Sequence, residues 1–340
     1  MALASGADLK DVLRMTQLFE HVMVTGGSGF IGTHLIRLLL SDPSVRTITV
    51  LDLRPPEITD PRVNYVCVDL RQPINYHLNT AVSVCFHLAA LCKEPQYGWE
   101  DYFCTNHVGT KHLCDFATRE KIRNIVLTST MMVYRAGERR SKETDCTAPD
   151  TAYGISKLLA EAALEKWAAA DGRSLHIVRP GVVFGRGESG NFTRLYKALK
   201  RGRFVYVGRS STRKACIYVK DLCCFMRLLA ETSEGLGIYN AALPVPVTIR
   251  EICETFCKVF GLKQRIPTVP FRLALLAGYC GDVAHALGVA TDLHHRRIEK
   301  LFFSTDIATD AMLDTGFHPA YGLAEGLIEW RDECIPGSLS

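Results

Sequence analysis

The sequence predicts an α/β chain: a doubly wound parallel sheet followed by a smaller C-terminal lobe. Three observations predict it. Short apolar runs alternate with helical stretches from His21 to Pro180, and strands joined through helices pair in parallel. One run, Val22-Met23-Val24, passes without a gap into Thr25-Gly26-Gly27-Ser28-Gly29-Phe30-Ile31-Gly32 and then into the helix formers His34 to Leu40. Beyond Gly181 the strands shorten and the alternation loosens, as expected of a second, smaller lobe.

Residues 1–19 read as an N-terminal extension, a short helix over the sheet. The strand, glycine turn and helix at 21–40 form a phosphate cradle. Glycine permits the tight turn and lets the backbone approach a pyrophosphate, and the helix N-terminus offers unpaired amides to the anion. Taken alone, such a triplet is also an ordinary tight turn; its place between strand and helix favours the cradle. Thr47 to Leu53 is the second strand. It carries Asp52, twenty residues beyond Gly32, where a carboxylate accepts hydrogen bonds from the adenosine ribose and repels a 2′-phosphate. That favours NAD over NADP, with Arg54 nearby as a counterweight.

Val63 to Val68 is the third strand and runs into Asp69-Leu70, a place for the adenine. Val82 to Leu88 is the fourth, followed by Ala89 and Ala90, small enough for the cofactor to lie against the chain. Tyr102 to Arg119 is helical and contains Asn106. Asn124 to Ser129 is the fifth strand, Tyr153 to Ala170 a long helix, and Ser174 to Arg179 the sixth strand, closed by Pro180. In the lobe, Asn191 to Lys200, Asp221 to Glu231 and Thr248 to Phe260 read as helices. Val205 to Val207, Ala215 to Val219 and Ile238 to Asn240 read as short strands. The division is therefore 1–180 for the nucleotide-binding half and 181–340 for the lobe, with the segment near 238–241 returning to the sheet.

Composition limits the function classes. The chain has 340 residues, 47% hydrophobic and 22% charged, with a formal charge of +4; so small and dispersed a charge argues against nucleic acid. The apolar run Phe271 to Tyr279 is too short to span a bilayer and is broken by Arg272. Residues 1–20 lack the apolar core of a secretory signal. Thirteen cysteines without a C-x-x-C pair read as reduced thiols in a cytoplasmic protein. No metal site is expected; His294-His295 with Arg296-Arg297 reads as an exposed helix face.

Tyr153-Gly154-Ile155-Ser156-Lys157 places a phenol and an ammonium four residues apart on one helical face. A free tyrosine titrates near pH ~10 and is a poor base at neutral pH, and a neighbouring cation lowers that value. Lys157 can do this while holding a ribose. A small hydroxyl near the end of the fifth strand completes the set; Thr128, Ser129 and Thr130 supply three.

With TGGSGFIG, Asp52, HLAA at 87–90, NHVGT, STMMVY, YGISK, RPGVVFGRG and YVKDL in hand, the chain resembles the extended branch of the short-chain dehydrogenase/reductase superfamily. In particular it resembles the NAD-dependent sugar epimerase/dehydratase family, with its Rossmann fold. The resemblance implies Tyr153 and Lys157 as catalytic residues, with Thr130, four residues before Tyr134, as the hydroxyl and Ser129 as second choice. It implies NAD held by Gly26, Gly29, Phe30, Ile31, Gly32, Asp52, Asp69, Leu70, Leu88, Ala89, Ala90, Asn106, Tyr153, Lys157, Arg179 and Pro180. Arg179 also reads as a structural ion pair, and His87 as a buried strand-end histidine. Related dehydratases carry acids after the hydroxyl; Met131 and Met132 transfer no protons, which disfavours dehydration.

The expected activity is therefore 4-epimerisation of a nucleotide sugar, a UDP-hexose or UDP-N-acetylhexosamine. Thr130, Asn191 at a helix N-terminus, Arg213 and Lys214 would bind the substrate, although Arg213 and Lys214, with Arg209, also read as a solvated basic loop. The alternative is a dehydrogenase or reductase of a hydroxysteroid-like alcohol or ketone, for which Phe271 to Leu287 would line a more apolar pocket. The resemblance also implies a homodimer through the helices carrying NHVGT and YGISK; the face formed by Leu158, Leu159, Ala162, Ala163 and Trp167 suits that contact and would serve equally well as packing onto the sheet.

Overall fold

A computed structural model describes residues 19–93, 96–170, 172–231, 235–263, 265–288 and 294–334. All but the end of the expected N-terminal extension lies outside them. In chain order, β1 (His21–Thr25), α1 (Phe30–Leu40), β2 (Thr47–Asp52), β3 (Val63–Cys67) and β4 (Val84–His87) come first. Then α2 (Trp99–Tyr102) runs through a π-helical turn, Phe103–Val108, into α3 (Gly109–Arg119), so the helix expected from Tyr102 starts earlier and carries a wide turn around Asn106. Next are β5 (Asn124–Thr128), a 3₁₀ turn (Met131–Val133), α4 (Ala152–Ala168), β6 (Ser174–Pro180) and β7 (Val182–Phe184). The lobe adds α5 (Asn191–Lys200), β8 (Tyr206–Val207), β9 (Arg213–Lys214), β10 (Cys216–Tyr218) and α6 (Val219–Glu231). The chain continues with β11 (Gly235–Ala241), β12 (Val247–Thr248), α7 (Ile249–Phe260) and β13 (Thr268–Val269). It closes with α8 (Phe271–Ala286), α9 (His295–Phe302), α10 (Asp310–Asp314) and α11 (Leu323–Glu333).

Seven strands form one parallel sheet in the order β11-β6-β5-β4-β1-β2-β3. Sequence order reverses between β1 and β4, which opens a crevice beyond their carboxyl ends. The inner strands β1, β4, β5 and β6 are buried at every residue, because helices cover both faces; that is why they read as continuous apolar runs. Alternate residues supply opposite layers. Val22, Val24, Val50, Val126 and Val178 join a core under α1 and α6 that continues into the lobe through Phe184, Phe192, Tyr218, Phe256 and Trp330. Met23, Leu51, Cys85, Ile125 and Ile177 face the other way, against Leu113 and Phe116 of α3 and Leu164 and Trp167 of α4.

The lobe is stitched by three two-stranded pairs, β10 with β7, β12 with β9, and β13 with β8. Arg213-Lys214, expected as a loop before a strand, is itself the short strand β9 against Val247-Thr248. Of the two readings of the face that carries Trp167, dimer contact or packing onto the sheet, this residue takes the second: it is buried in the core, with the Arg173 guanidinium over its ring at 4.8 Å.

Candidate active site

Two glycines of the turn, Gly26 and Gly32, leave no room for a side chain. Gly26 has φ +71°, and a Cβ there would lie 2.6 Å from the backbone of Ala89. A Cβ on Gly32 would lie 2.6 Å from the Gly27 Cα. The Gly26 amide donates to the Leu51 carbonyl at 2.9 Å, and that of Gly29 to the Gly26 carbonyl at 3.1 Å. Gly29 caps α1 with no side-chain hydrogen bond, and the first turn of α1 carries no acid. Unpaired amides and the positive helix end therefore face the crevice, with nothing anionic from α1 in competition. Asp52 stands beside the turn, its carboxylate accepting from the Ser28 amide at 3.0 Å and the Arg54 amide at 3.2 Å. These contacts aim the carboxylate and leave further lone pairs for ribose hydroxyls. A dinucleotide fits the cradle.

Across the crevice, Leu88, Ala89 and Ala90 are half-buried. Their path is set by His87, which is fully buried between the Thr25 hydroxyl at 2.7 Å and the Thr110 hydroxyl at 2.9 Å. Burial, with Lys157 nearby, pushes the His87 imidazole down to about 3, so it works as a neutral strut.

Three of the expected cofactor contacts, Asn106, Leu70 and Asp69, are engaged within the protein. Asn106 is 1% exposed; its amide group donates to the Leu91 carbonyl at 3.0 Å and the Ser156 hydroxyl at 2.9 Å and accepts from the Leu91 amide at 2.8 Å. Both donors are used, so Asn106 is a positioning residue tying the crevice wall to α4. Leu70 is buried in the core, with its carbonyl accepting from His112 at 2.8 Å. Asp69 is chelated by the Arg71 guanidinium, Nη2 to Oδ2 at 2.6 Å, and that contact holds its carboxyl below the usual range.

The catalytic candidates lie on α4 and on the turn after β5. Thr151 caps α4 by accepting from the Gly154 amide at 3.1 Å. A Cβ on Gly154 would collide with the Met132 carbonyl, so glycine at that place lets the start of α4 press on the turn that begins at Thr130. Thr130 in turn caps the 3₁₀ turn, its hydroxyl accepting from the Met132 amide at 3.1 Å. Tyr153 is half-buried and its ring lies 6.4 Å from that of Tyr102. One helical turn on, Lys157 is 1% exposed; burial pushes its ammonium down to about 8, while the Glu161 carboxylate pulls the other way.

Ser129 and Arg179 belong to a different assembly. The Ser129 hydroxyl donates to Glu161, and Arg179 binds the same carboxylate, Nη2 to Oε2 at 2.6 Å and Nε to Oε1 at 3.1 Å. Arg179 also donates to the Tyr134 hydroxyl at 2.8 Å, which donates to Asn240 of β11 at 3.0 Å. Arg179 and Glu161 are almost completely buried, and Pro180 is buried as the last residue of β6. Of the two readings of Arg179, the geometry supports the structural ion pair. Ser129 gives way to Thr130 because its hydroxyl is held in that network. Glu161 was missed by sequence reasoning; its only signal is that it lies one turn beyond Lys157.

The lobe residues expected to bind substrate have internal partners. The N-terminus of α5 is covered by the Glu188 carboxylate, which accepts from the Gly190 amide at 2.5 Å and the Thr193 amide at 2.9 Å. An anion already sits where a diphosphate was expected. Asn191 is exposed and accepts from Arg194 at 2.8 Å. Lys214 donates to the Lys300 and Phe303 carbonyls, both at 2.7 Å, and so caps the end of α9. Arg213 donates to the Glu138 carbonyl at 2.7 Å and pairs with Asp306 at 3.2 Å. His294 and His295, expected on an exposed face, both pair with Asp282 of α8. Among the described residues no group of three or more His, Cys, Asp or Glu could hold a metal, and no helix is long and apolar enough to cross a membrane.

The profile of the NAD dependent epimerase/dehydratase family matches residues 22–242. A curated relative, N-acetyl-alpha-D-glucosaminyl-diphospho-ditrans,octacis-undecaprenol 4-epimerase of Escherichia coli O157:H7, is 27% identical over 91% of this chain and 93% of its own length. The 3 beta-hydroxysteroid dehydrogenase/Delta 5-->4-isomerase of Mycobacterium tuberculosis is 27% identical over 96% of this chain and 92% of its own. Among solved structures, MoeE5 in complex with UDP-glucuronic acid and NAD superposes with a TM-score of 0.70 at 26% identity, covering 92% of this chain and 99% of that one.

Proposed function

Because the chain belongs to the NAD-dependent epimerase/dehydratase family, we propose that it inverts C4 of a hexose or N-acetylhexosamine carried on a diphosphate, with UDP as the carrier. One arrangement carries this reading: Tyr153 and Lys157 on one face of α4, pressed through Gly154 onto the turn that begins at Thr130 and continues with two methionines. Tyr153 takes the proton of the C4 hydroxyl while Thr130 hydrogen-bonds the same oxygen, and Tyr153 returns the proton at the end of the cycle. Bound NAD supplies the acceptor, and in reduced form the donor, of the C4 hydride. Gly26 to Gly32, Asp52, the wall at Leu88 to Ala90, and Lys157 would hold it. Neither Met131 nor Met132 can move a proton, so the 4-keto sugar meets no acid there to drive loss of water. The C4 chemistry named for the Escherichia coli relative and the UDP-sugar held by MoeE5 support this choice.

The second reading is a dehydrogenase or reductase of an apolar alcohol or ketone. The hydroxysteroid relative favours it. So does an apolar cavity of about 360 Å³ in the lobe, although none of Thr130, Tyr153 or Lys157 lines it. A homodimer through α3 and α4 remains part of the proposal; Leu158, Leu159 and Ala163 are half-buried and Ala162 is exposed there. A cytoplasmic site of action suits the thirteen cysteines.

The test is to denature the purified protein and measure the nucleotide released, then to supply UDP-glucose and UDP-N-acetylglucosamine. Stoichiometric NAD and conversion to the C4 epimers are expected. A protein that purifies without nucleotide and steadily makes NADH from a sterol would select the second reading.

A further inference from the structure

Helix α8 is packed inside out. Its small residues Ala274, Gly278 and Gly281 are buried, and a Cβ on Gly278 would lie 2.8 Å from the His295 Cα, so α9 is seated closely on that side. The large side chains point away: Leu273 is 60% exposed, Leu276 61%, Val283 61% and, just past the helix, Leu287 78%. With the exposed Cys280 these positions step by three and four residues, which lays them along one face of the helix. Contiguous apolar surface of this kind marks a contact with something apolar.

The surroundings say what covers it. Arg272, the residue before Leu273, is exposed, as are Lys263 and Arg265 in the segment that leads towards α8. From Lys263 to Gly288 the sequence holds one acid, Asp282, and both of its oxygens are engaged by His294 and His295. A second copy meeting this face would therefore bring no acid from this segment to the arginines. The apolar character also continues behind the helix. Val205, Val207, Val269, Ala274, Ala277 and Ile298 line the 360 Å³ cavity, and Ala277, exposed beside Leu273, is one of its walls. An apolar helix face in a segment whose exposed charges are cationic, beside an apolar cavity, matches the acyl region and phosphate headgroups of an anionic bilayer.

We propose that α8 lies in the surface of an anionic lipid bilayer, with Leu273, Leu276, Val283 and Leu287 in the acyl boundary and Lys263, Arg265 and Arg272 at the phosphates. A helix of sixteen residues, about 24 Å long at ~1.5 Å per residue, docks in the plane and does not span. The inference is independent of the reaction assigned above.

The test is flotation of the full chain with vesicles of phosphatidylcholine containing about one third phosphatidylglycerol, and with phosphatidylcholine alone. The wild type is expected to float with the anionic vesicles and to be released by raised salt. A Leu276→Ser/Val283→Ser/Leu287→Ser variant should bind roughly a hundredfold more weakly, with its NAD content and thermal midpoint unchanged because these side chains are exposed. Arg272→Glu should lose the preference for anionic vesicles while retaining the fold. A wild type left behind by both kinds of vesicle overturns the proposal. So does a triple variant that floats like the wild type. If the wild type ignores vesicles and the triple variant sediments as a smaller species, the stripe is a contact between copies.

Discussion

The crevice beyond β1 and β4 and the lobe around β9 are both rich in polar groups, yet they are organised in opposite ways. In the crevice, the groups expected to meet the cofactor are backbone amides. The amides at the start of α1 have no side-chain cap, and Gly26 and Gly32 leave room for close approach. In the lobe, the expected groups are two cationic side chains and a helix N-terminus, and each has found a partner: Lys214 the end of α9, Arg213 Asp306, and the start of α5 Glu188. The difference teaches that a helix N-terminus stays available only when the sequence withholds a local acid. A long cationic side chain settles on whatever carbonyl or carboxylate the fold brings near it.

Four substitutions and one titration sharpen that contrast, beginning with the largest effect. Tyr153→Phe should lower turnover at least roughly a thousandfold and leave bound NAD in place, as read by an epimerisation assay and nucleotide analysis. Retained turnover would remove Tyr153 as the base. Glu161→Ala should destabilise the fold by about 3–5 kcal/mol, because it strands the buried Arg179, and denaturant unfolding would measure it. If Arg179 instead contacted cofactor, Arg179 substitutions would weaken NAD binding without this loss of stability.

Gly32→Ala forces a Cβ into the turn and should cost about 1–3 kcal/mol while emptying the protein of NAD. A variant that copurifies with full NAD would break the crevice side of the comparison.

The titration concerns His87. Its folded value, about 3, lies below its ordinary 6.5, so the unfolded chain binds the proton first as pH falls. Its contribution is complete above 6.5 and is lost on acidification towards 3, at up to about 1.4 kcal/mol per pH unit. Burial lowers His21 and His34 in the same direction. Urea midpoints should therefore drop between pH 7 and 5, and less so in His87→Gln. Last, Lys214→Met should cost roughly 1 kcal/mol from the lost cap of α9 and leave the KM for a UDP-sugar unchanged. A tenfold rise in KM, about 1.4 kcal/mol, would return Lys214 to the substrate site.

Some consequences of the sequence needed no coordinates. The continuous apolar runs called for strands covered on both faces, and the glycine spacing between Val24 and the helix starting at Phe30 favoured a phosphate cradle. Tyr153 and Lys157 share a face because four residues make one helical turn. These are local facts, set by backbone sterics and helix periodicity. Tertiary structure alone decided the partners of long-range polar groups. Arg179 near the end of β6 meets Glu161 from α4, eighteen residues earlier; Asn106 ties the wall at Leu91 to Ser156; Lys214 reaches carbonyls at the end of α9. No spacing announces such pairs, since each depends on two elements arriving at one place. The same holds for α8, whose apolar residues read from sequence as a pocket lining. The packing of Ala274 and Gly278 against α9 turned the leucines outward, because glycine and alanine permit the closer helix approach and the bulky face is left on the outside.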